Sequence, residues 1–293
     1  MKQISIIGFI LICLSIFCFS VFAQNVDIVQ LRYDFRPGEK QSYTLTIDGE
    51  VTVQVSSVGG LPLPANNAQM KGEFNYTHEV VGVNKKDKSA LINVVYGKSY
   101  MNTIVNNKVI PNPDIPLLDG KVASVTVSDN GEVKKFKLPE DLPVSLQNAD
   151  FRKMFAVFPA RGLRIGESWI DNNDSVDDKN EAYKTTNTSS TKYTLLSVEK
   201  KQDIECAKVK FESVSNSKTE SKNPQVKLDG NIAGKVEGII YYNLSNGFVV
   251  DSDLRTKIEN RVVSGAKSSD NKENPGEVTT VVNTDMHVIT KAL

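Results

Sequence analysis

The chain has 293 residues, 40% hydrophobic and 24% charged, which is enough apolar material for a buried core and excludes disordered, collagen-like and coiled-coil classes. The 35 Lys and Arg residues balance the 35 Asp and Glu residues, so no bulk charge draws the protein to nucleic acid or to an anionic membrane. With two histidines and three cysteines, a multi-ligand metal centre or a disulfide framework is not expected.

The first 24 residues have the pattern of an export leader. Lys2 supplies a positive start, Ile4 to Val21 an apolar stretch, and Val21-Phe22-Ala23 a small-residue cleavage site before Gln24, so residues 1–23 are expected to be removed. Cys13 and Cys18 lie in this segment. Ile12 and Phe17 precede them, where a lipoprotein signal needs a small residue, so lipidation is not expected. Cys206 then remains alone. No other stretch reaches membrane-spanning length. The expected location is secreted or periplasmic, with no membrane span after signal removal.

Beyond the leader, alternation of period two dominates, the signature of half-buried strands. Tyr43, Leu45 and Ile47 share one face, and Asp48-Gly49 suggests a tight hairpin turn before Val51, Val53 and Val55. Gly59 to Gln69 is a loop by its glycines, prolines and asparagines. Phe74, Tyr76, His78 and Val80 alternate, as do Ala90, Ile92, Val94 and Tyr96 after the charged turn Lys85–Lys88. Residues 102–110 form a short hairpin around Asn106-Asn107, and residues 111–120, with three prolines, are irregular. Val122–Val127 and Val133–Leu138 flank Asp129-Asn130-Gly131 as another hairpin.

Residues 141–158 depart from alternation. Phe151, Met154, Phe155 and Phe158 have the three–four spacing of a helical stripe, and Pro159 ends it, so one linking α-helix is predicted at 145–158. Strands resume at 188–198 and 204–215 around the turn Glu199–Asp203, and at 232–243 and 248–263 around Ser245-Asn246-Gly247. The last, Val278–Ile289, puts Val278, Val282, Met286 and Val288 on one face. Ser264 to Gly276 is a polar loop.

A weak repeat runs through the chain. Arg36, Gly38 and Glu39 of Phe35-Arg-Pro-Gly-Glu-Lys-Gln-Ser-Tyr43 match Arg164, Gly166 and Glu167 of Leu163-Arg-Ile-Gly-Glu-Ser-Trp169. Late in each block an Asn-Gly turn, at 130–131 and at 246–247, precedes Val133 and Val249. The organisation read from this is a leader (1–23), an N-terminal β half (24–140), a linking helix (141–160) and a C-terminal β half (161–293), in a mostly β fold of long antiparallel strands, half-barrel or sandwich-like. The turn Gly166-Glu167-Ser168-Trp169, after the proline lead Phe158-Pro159, resembles that of a family of uncharacterised bacterial secreted proteins whose halves open in this way. Tyr43 replaces the tryptophan in the first half and sits further on. The resemblance implies no established activity and carries over no catalytic residue. At the level of fold the pattern looks like the curved half-barrels of bacterial lipid and lipoprotein carriers, an analogy that does not fix function.

No chemistry stands out. His78, His287 and Cys206 are far apart and lack zinc-ligand spacing, and both histidines are expected to be half-exposed strand residues. No serine sits in a nucleophile elbow, and Gly59-Gly60 lacks the spacing and lysine of a phosphate loop. The acidic run Asp171–Asp178 supplies oxygen ligands of the kind calcium takes, but lacks the EF-hand glycine and glutamate, and is expected to be a solvated loop. Trp169 is expected in the core and Cys206 to be an inert small hydrophobe. No catalytic, cofactor-binding or metal-ligating residue is assigned, no cofactor is expected, and the ligand-binding residues stay open. The sequence points to a non-enzymatic protein that binds an apolar small molecule or a cell-envelope protein. A structural module without ligand and a carboxylate-dependent hydrolase are the alternatives.

Overall fold

The computed structural model describes residues 28–56, 63–142, 154–178, 182–223, 226–266 and 278–293. The expected leader, much of the Gly59 loop, residues 145–153 of the expected helix and most of the Ser264–Gly276 loop lie outside them. The described residues form β1 (Lys40–Ser56), β2 (Asn66–Asn84), β3 (Ser89–Tyr96), β4 (Tyr100–Val105), β5 (Lys108–Pro111), a 3-10 turn (Ile115–Leu118), β6 (Val122–Ser128), β7 (Val133–Lys137), β8 (Ser168–Asp177), β9 (Tyr183–Lys201), β10 (Ile204–Ser221), β11 (Val226–Asn243), β12 (Val249–Ala266) and β13 (Val278–Ala292).

All thirteen strands belong to one antiparallel sheet in the order β7-β6-β3-β2-β1-β13-β12-β11-β10-β9-β8, with the β4–β5 hairpin attached to β2. Each half is a meander, and the halves join where β1 pairs with β13, Tyr43 opposite Ala292 and Val55 opposite Thr280. At about 3.3 Å per residue, the longest strands reach roughly 60 Å. The turns follow their chemistry. Asn106-Asn107 and Gln202-Asp203 have positive φ at both positions, the mirror-image turn that matches the twist of paired strands.

The sheet has two unlike faces. On β1 the inner face carries Tyr43, Leu45 and Ile47, and the outer face Thr44, Thr46 and Asp48. Pairing carries this alternation across the sheet, since Ile47 lies opposite Val288 and Val288 opposite Leu254. The inner face holds the core. Val80, Ile92, Val94 and Val125 from one side of the sheet share one buried cluster with Leu195, Val209, Ile240 and Tyr242 from the other. Strands so distant in sheet order meet only if the sheet curls towards this face. The cluster occupies one end of the long strands, which is therefore closed. Towards the other end the inner-face side chains are half-buried and lack a covering layer among the described residues.

Asp48-Gly49 is not a turn. β1 runs straight through it, paired on both sides. Gly49 is required for a different reason: a Cβ there would lie 2.7 Å from both the Asp285 carbonyl oxygen and Met286 Cγ. Gly72, Gly230, Gly234 and Gly238 share the inner face with it, as their registers show. Glycines on a concave face let strands bend and backbones approach.

The linking helix is not seen. The described end of the expected segment, Phe155–Phe158, is irregular, because tertiary partners take its backbone groups. Ala156 N–H donates to the Tyr33 hydroxyl (3.1 Å), Phe158 N–H donates to the Asn130 carbonyl (2.7 Å), and the Val157 carbonyl accepts from Trp169 Nε1 (2.9 Å). In this described end, Phe155 and Phe158 are buried against rings from several elements.

The repeat is visible in the geometry. Gly38 and Gly166 both have positive φ, +82° and +89°. Gly38 N–H donates to the Val80 carbonyl and Val80 N–H to Glu39, just as Gly166 N–H donates to Leu195 and Leu195 N–H to Glu167. Further along, the Ser42–Thr77 hydroxyl pair matches Ser168–Thr194, each at 2.8 Å. The stacked rings Tyr43–Tyr76 match Trp169–Tyr193. The first half contains two extra residues on each strand, one full pleat, so Tyr43 keeps the facing of Trp169.

Gly49→Ala is expected to destabilise the fold by about 1–3 kcal/mol through overpacking against Asp285 and Met286. The check is a lower urea midpoint at unchanged slope. An unchanged midpoint would show that β1 and β13 do not meet there.

Candidate functional site

The closed end is built round residues 28–35. Val29, Leu31, Tyr33 and Phe35 are buried, and the residues between them are exposed, a strand-like alternation legible in the sequence but not read there as an element. Among the described residues the strap forms one isolated β-bridge outside the named strands, Val29 to Leu163. The Asn-Gly turns hold it on both sides: Tyr33 N–H donates to the Asp129 carbonyl at 2.7 Å, and Asp34 N–H to the Asn246 carbonyl at 3.1 Å. Neither turn tolerates a side chain at its glycine. A Cβ on Gly131 would fall on the Ala156 carbonyl, and one on Gly247 on the Arg32 carbonyl. The Tyr33 ring stacks on Phe35 and Phe158 and meets Phe155 and Phe248 edge-on. Burial raises its phenol pKa far above the ordinary range.

His78 is not half-exposed, as expected, but 4% exposed. It lies against Phe155 at 5.2 Å and between Tyr43 and Tyr76 at 5.0 and 5.4 Å. Both ring nitrogens are buried and have no hydrogen-bond partner among the described residues. Burial pushes its pKa down to about 3, so the ring is neutral. A neutral imidazole sealed among rings packs as an aromatic and has no route to act as a base on a ligand.

Above this base the inner face opens into a trough with two walls. On β1 it is aliphatic, and on β12 and β13 aliphatic residues alternate with polar ones: Val51 and Val53 lie beside Thr284 and Val282, and these beside Ile258 and Asn260. On β9 and β10 it is hydroxylic: Thr191 pairs Ser213 and Thr185 pairs Thr219, at 2.9 and 3.1 Å. β11 lies between them, with Gly230, Ile232, Gly234, Val236 and Gly238 inward. The outer face is charged. One row across it reads Lys71, Asp48, His287, Arg255, Glu237 and Glu212. Two open clefts, of about 300 and 340 Å³, flank β1. One lies against the Asn106-Asn107 hairpin, the other among Asp48, Arg255, Asp285 and His287.

The remaining sequence candidates scatter. His287 is on the outer face, its Nε2 at 2.7 Å from Asp253 Oδ1, far in register from His78. Cys206 is buried, and burial raises its thiol pKa, as an inert residue requires. Trp169 is in the core, stacked on Tyr193. The acidic run is not a solvated loop: Asp171–Asp177 is part of β8. Successive strand residues face opposite ways, so Asp171 points inward and Asp174 outward. Among the described residues no cluster of three or more His, Cys, Asp or Glu forms a metal-binding group.

Residues 138–249 match the model of a family of unknown function (DUF6263). Comparison with curated protein sequences gives no match. Among solved structures, an outer membrane channel from Pseudomonas putida F1 is 8% identical, with 89% of this chain and 97% of that one covered and a TM-score of 0.21. Salmonella typhi OmpF is 8% identical (85% and 98% covered, TM-score 0.20) and Pseudomonas aeruginosa OccK7 6% identical (88% and 99%, TM-score 0.21). At such scores the likeness is one of long antiparallel strands, and nothing is carried over from it.

His78 makes stability depend on pH. Unfolded, it takes a proton near pH 6.5; folded, only near 3. Between these values the unfolded chain binds the proton and the folded one does not, so stability is complete above pH 6.5 and falls as the pH drops. The expected loss is about 2–3 kcal/mol by pH 4.5, at ~1.4 kcal/mol per unit. Urea titrations at both pH values check this, and His78→Phe should flatten the difference.

Proposed function

We propose that the protein is an exported, non-enzymatic binding protein that takes up an apolar ligand on the inner face of its sheet, above the aromatic base. The observation that carries this reading is the half-buried, more aliphatic side of the inner face, where Val51, Val53, Val282 and Ile258 of β1, β13 and β12 continue the core without a covering layer among the described residues. Such a surface gains about 25 cal/mol for each Å² of apolar area removed from water, and concave, largely apolar faces are where small ligands bind. The charged outer face suits water. Outer-membrane barrels place apolar residues outward and polar ones inward, the reverse of this sheet. The two histidines support binding rather than catalysis, since His78 is sealed in ring packing and His287 is held by Asp253 on the charged face.

A second reading, an envelope protein as partner, draws on β8. Its ten residues pair with β9 on one side, and among the described residues no strand pairs on the other. Ile170 and Val176 stand 61% and 60% exposed on its outer face. An open edge with exposed branched residues accepts an added strand.

Titration with the neutral fluorophore N-phenyl-1-naphthylamine tests the first reading. Saturable binding is expected, weakened at least tenfold in Val282→Lys, whose charge would lie in the aliphatic wall. Absence of saturable binding, or equal binding by the variant, would overturn it. The export half of the reading is checked by the mass of the released protein, which should begin at Gln24.

A further inference from the structure

The two walls of the trough differ in a way that specifies the ligand further. Along one row of paired residues, Ser189, Ser215, Gly234, Ile258, Thr284 and Val51 follow in order across six strands. The next row towards the open end reads Asn187, Ser217, Ile232, Asn260, Val282 and Val53. At about 4.8 Å between strands, each row passes over roughly 25 Å from the polar residues of β9 and β10 to a valine of β1, with Ile258 and Val282 on the way and Thr284 and Asn260 interrupting the aliphatic side. No lysine or arginine points inward in either row, whereas the outer face of the same strands carries Lys192, Lys210, Lys235 and Lys257.

Hydroxyls on the polar wall keep bonding capacity. A serine or threonine has one donor and two acceptor sites, so a cross-strand pair such as Thr191–Ser213 fixes the rotamers and still leaves sites for a ligand. β11 forms the floor between the walls. Gly234 lies opposite Ser215, and a Cβ there would come within 2.7 Å of Ser215 Oγ. The glycine keeps that hydroxyl open to the trough and lets a ligand approach the backbone.

We propose that the ligand is an amphiphile with an uncharged, hydroxyl-bearing headgroup lying on β9 and β10 and an alkyl chain lying across β12, β13 and β1. This rests on the binding reading above and adds the headgroup class. An anionic headgroup would lose its hydration on this wall without gaining a cation in return. A sugar or polyol exchanges water for fixed hydroxyls.

The test compares two amphiphiles of equal chain length, dodecyl maltoside and dodecyl phosphate, both below micelle formation, as competitors of N-phenyl-1-naphthylamine on the full mature protein. The maltoside is expected to displace the fluorophore at least tenfold more tightly. In the Ser215→Val, Ser217→Val double variant that preference, taken as the ratio of the two competitors' affinities each corrected for the variant's own affinity for the fluorophore, should shrink at least fivefold. Equal displacement by both amphiphiles, preference for the phosphate, or a preference untouched by the double variant would overturn the headgroup inference and leave the binding reading standing. Failure of the fluorophore itself to bind would sink both.

Discussion

The fold depends on the grip of two Asn-Gly turns on one extended strap. The sheet is long and its halves are simple meanders, so backbone pairing alone would leave a ribbon with the apolar ends of β3, β6, β9 and β10 exposed. Tyr33 prevents this. Its amide is tied to the turn of the first half, the amide of Asp34 to the turn of the second, and its ring is the centre on which Phe35, Phe155, Phe158 and Phe248 converge. Aromatic pairs of this kind contribute about 0.5–1.5 kcal/mol each beyond their buried area. The two glycines leave room for the strap's neighbours, so the same turn sequence serves the same end in both halves.

Most strands were legible because their alternation is undisturbed. Ala90 to Tyr96 and Phe74 to Val80 face the core as their spacing implies, and the hairpins at Asn106-Asn107 and at residues 129–131 lie where their turn residues put them. The errors share a cause. Asp48-Gly49 has the composition of a turn, but its glycine answers to a side chain 237 residues away, Met286, which no local pattern contains. Phe151 to Phe158 has helical spacing, yet the described end of that segment gives its amides to Tyr33 and Asn130. His78 looked like an ordinary strand histidine because the rings that seal it come from residues 155 and 248. The candidate site was legible in part. Each strand showed which residues share a face, but which strands lie side by side, and so the separation into aliphatic and hydroxylic walls, appears only with the sheet order.

That separation gives the sheet its working division. The outer face carries charge of both signs, and neighbouring strands there pair Lys71 with Asp48 and Lys257 with Asp285 at 3.9 and 3.6 Å. Such exposed pairs contribute little to stability and chiefly keep one surface wet. The inner face is free to change from packed aromatic at the closed end to half-buried aliphatic and hydroxylic further out. One continuous surface thus supplies both the core and the candidate binding site.

The junction of β1 with β13 also sets an order of events in assembly. Among the described strands β1 must wait for β13, which lies more than two hundred residues further along the chain, and loop closure over so long a stretch is slow. A chain made amino end first would therefore hold β1 against β2 alone, with its other edge bare. Until β13 arrives, that edge is open to pairing with other chains, which makes the interval between emergence and closure the stage at which a holding chaperone would matter most.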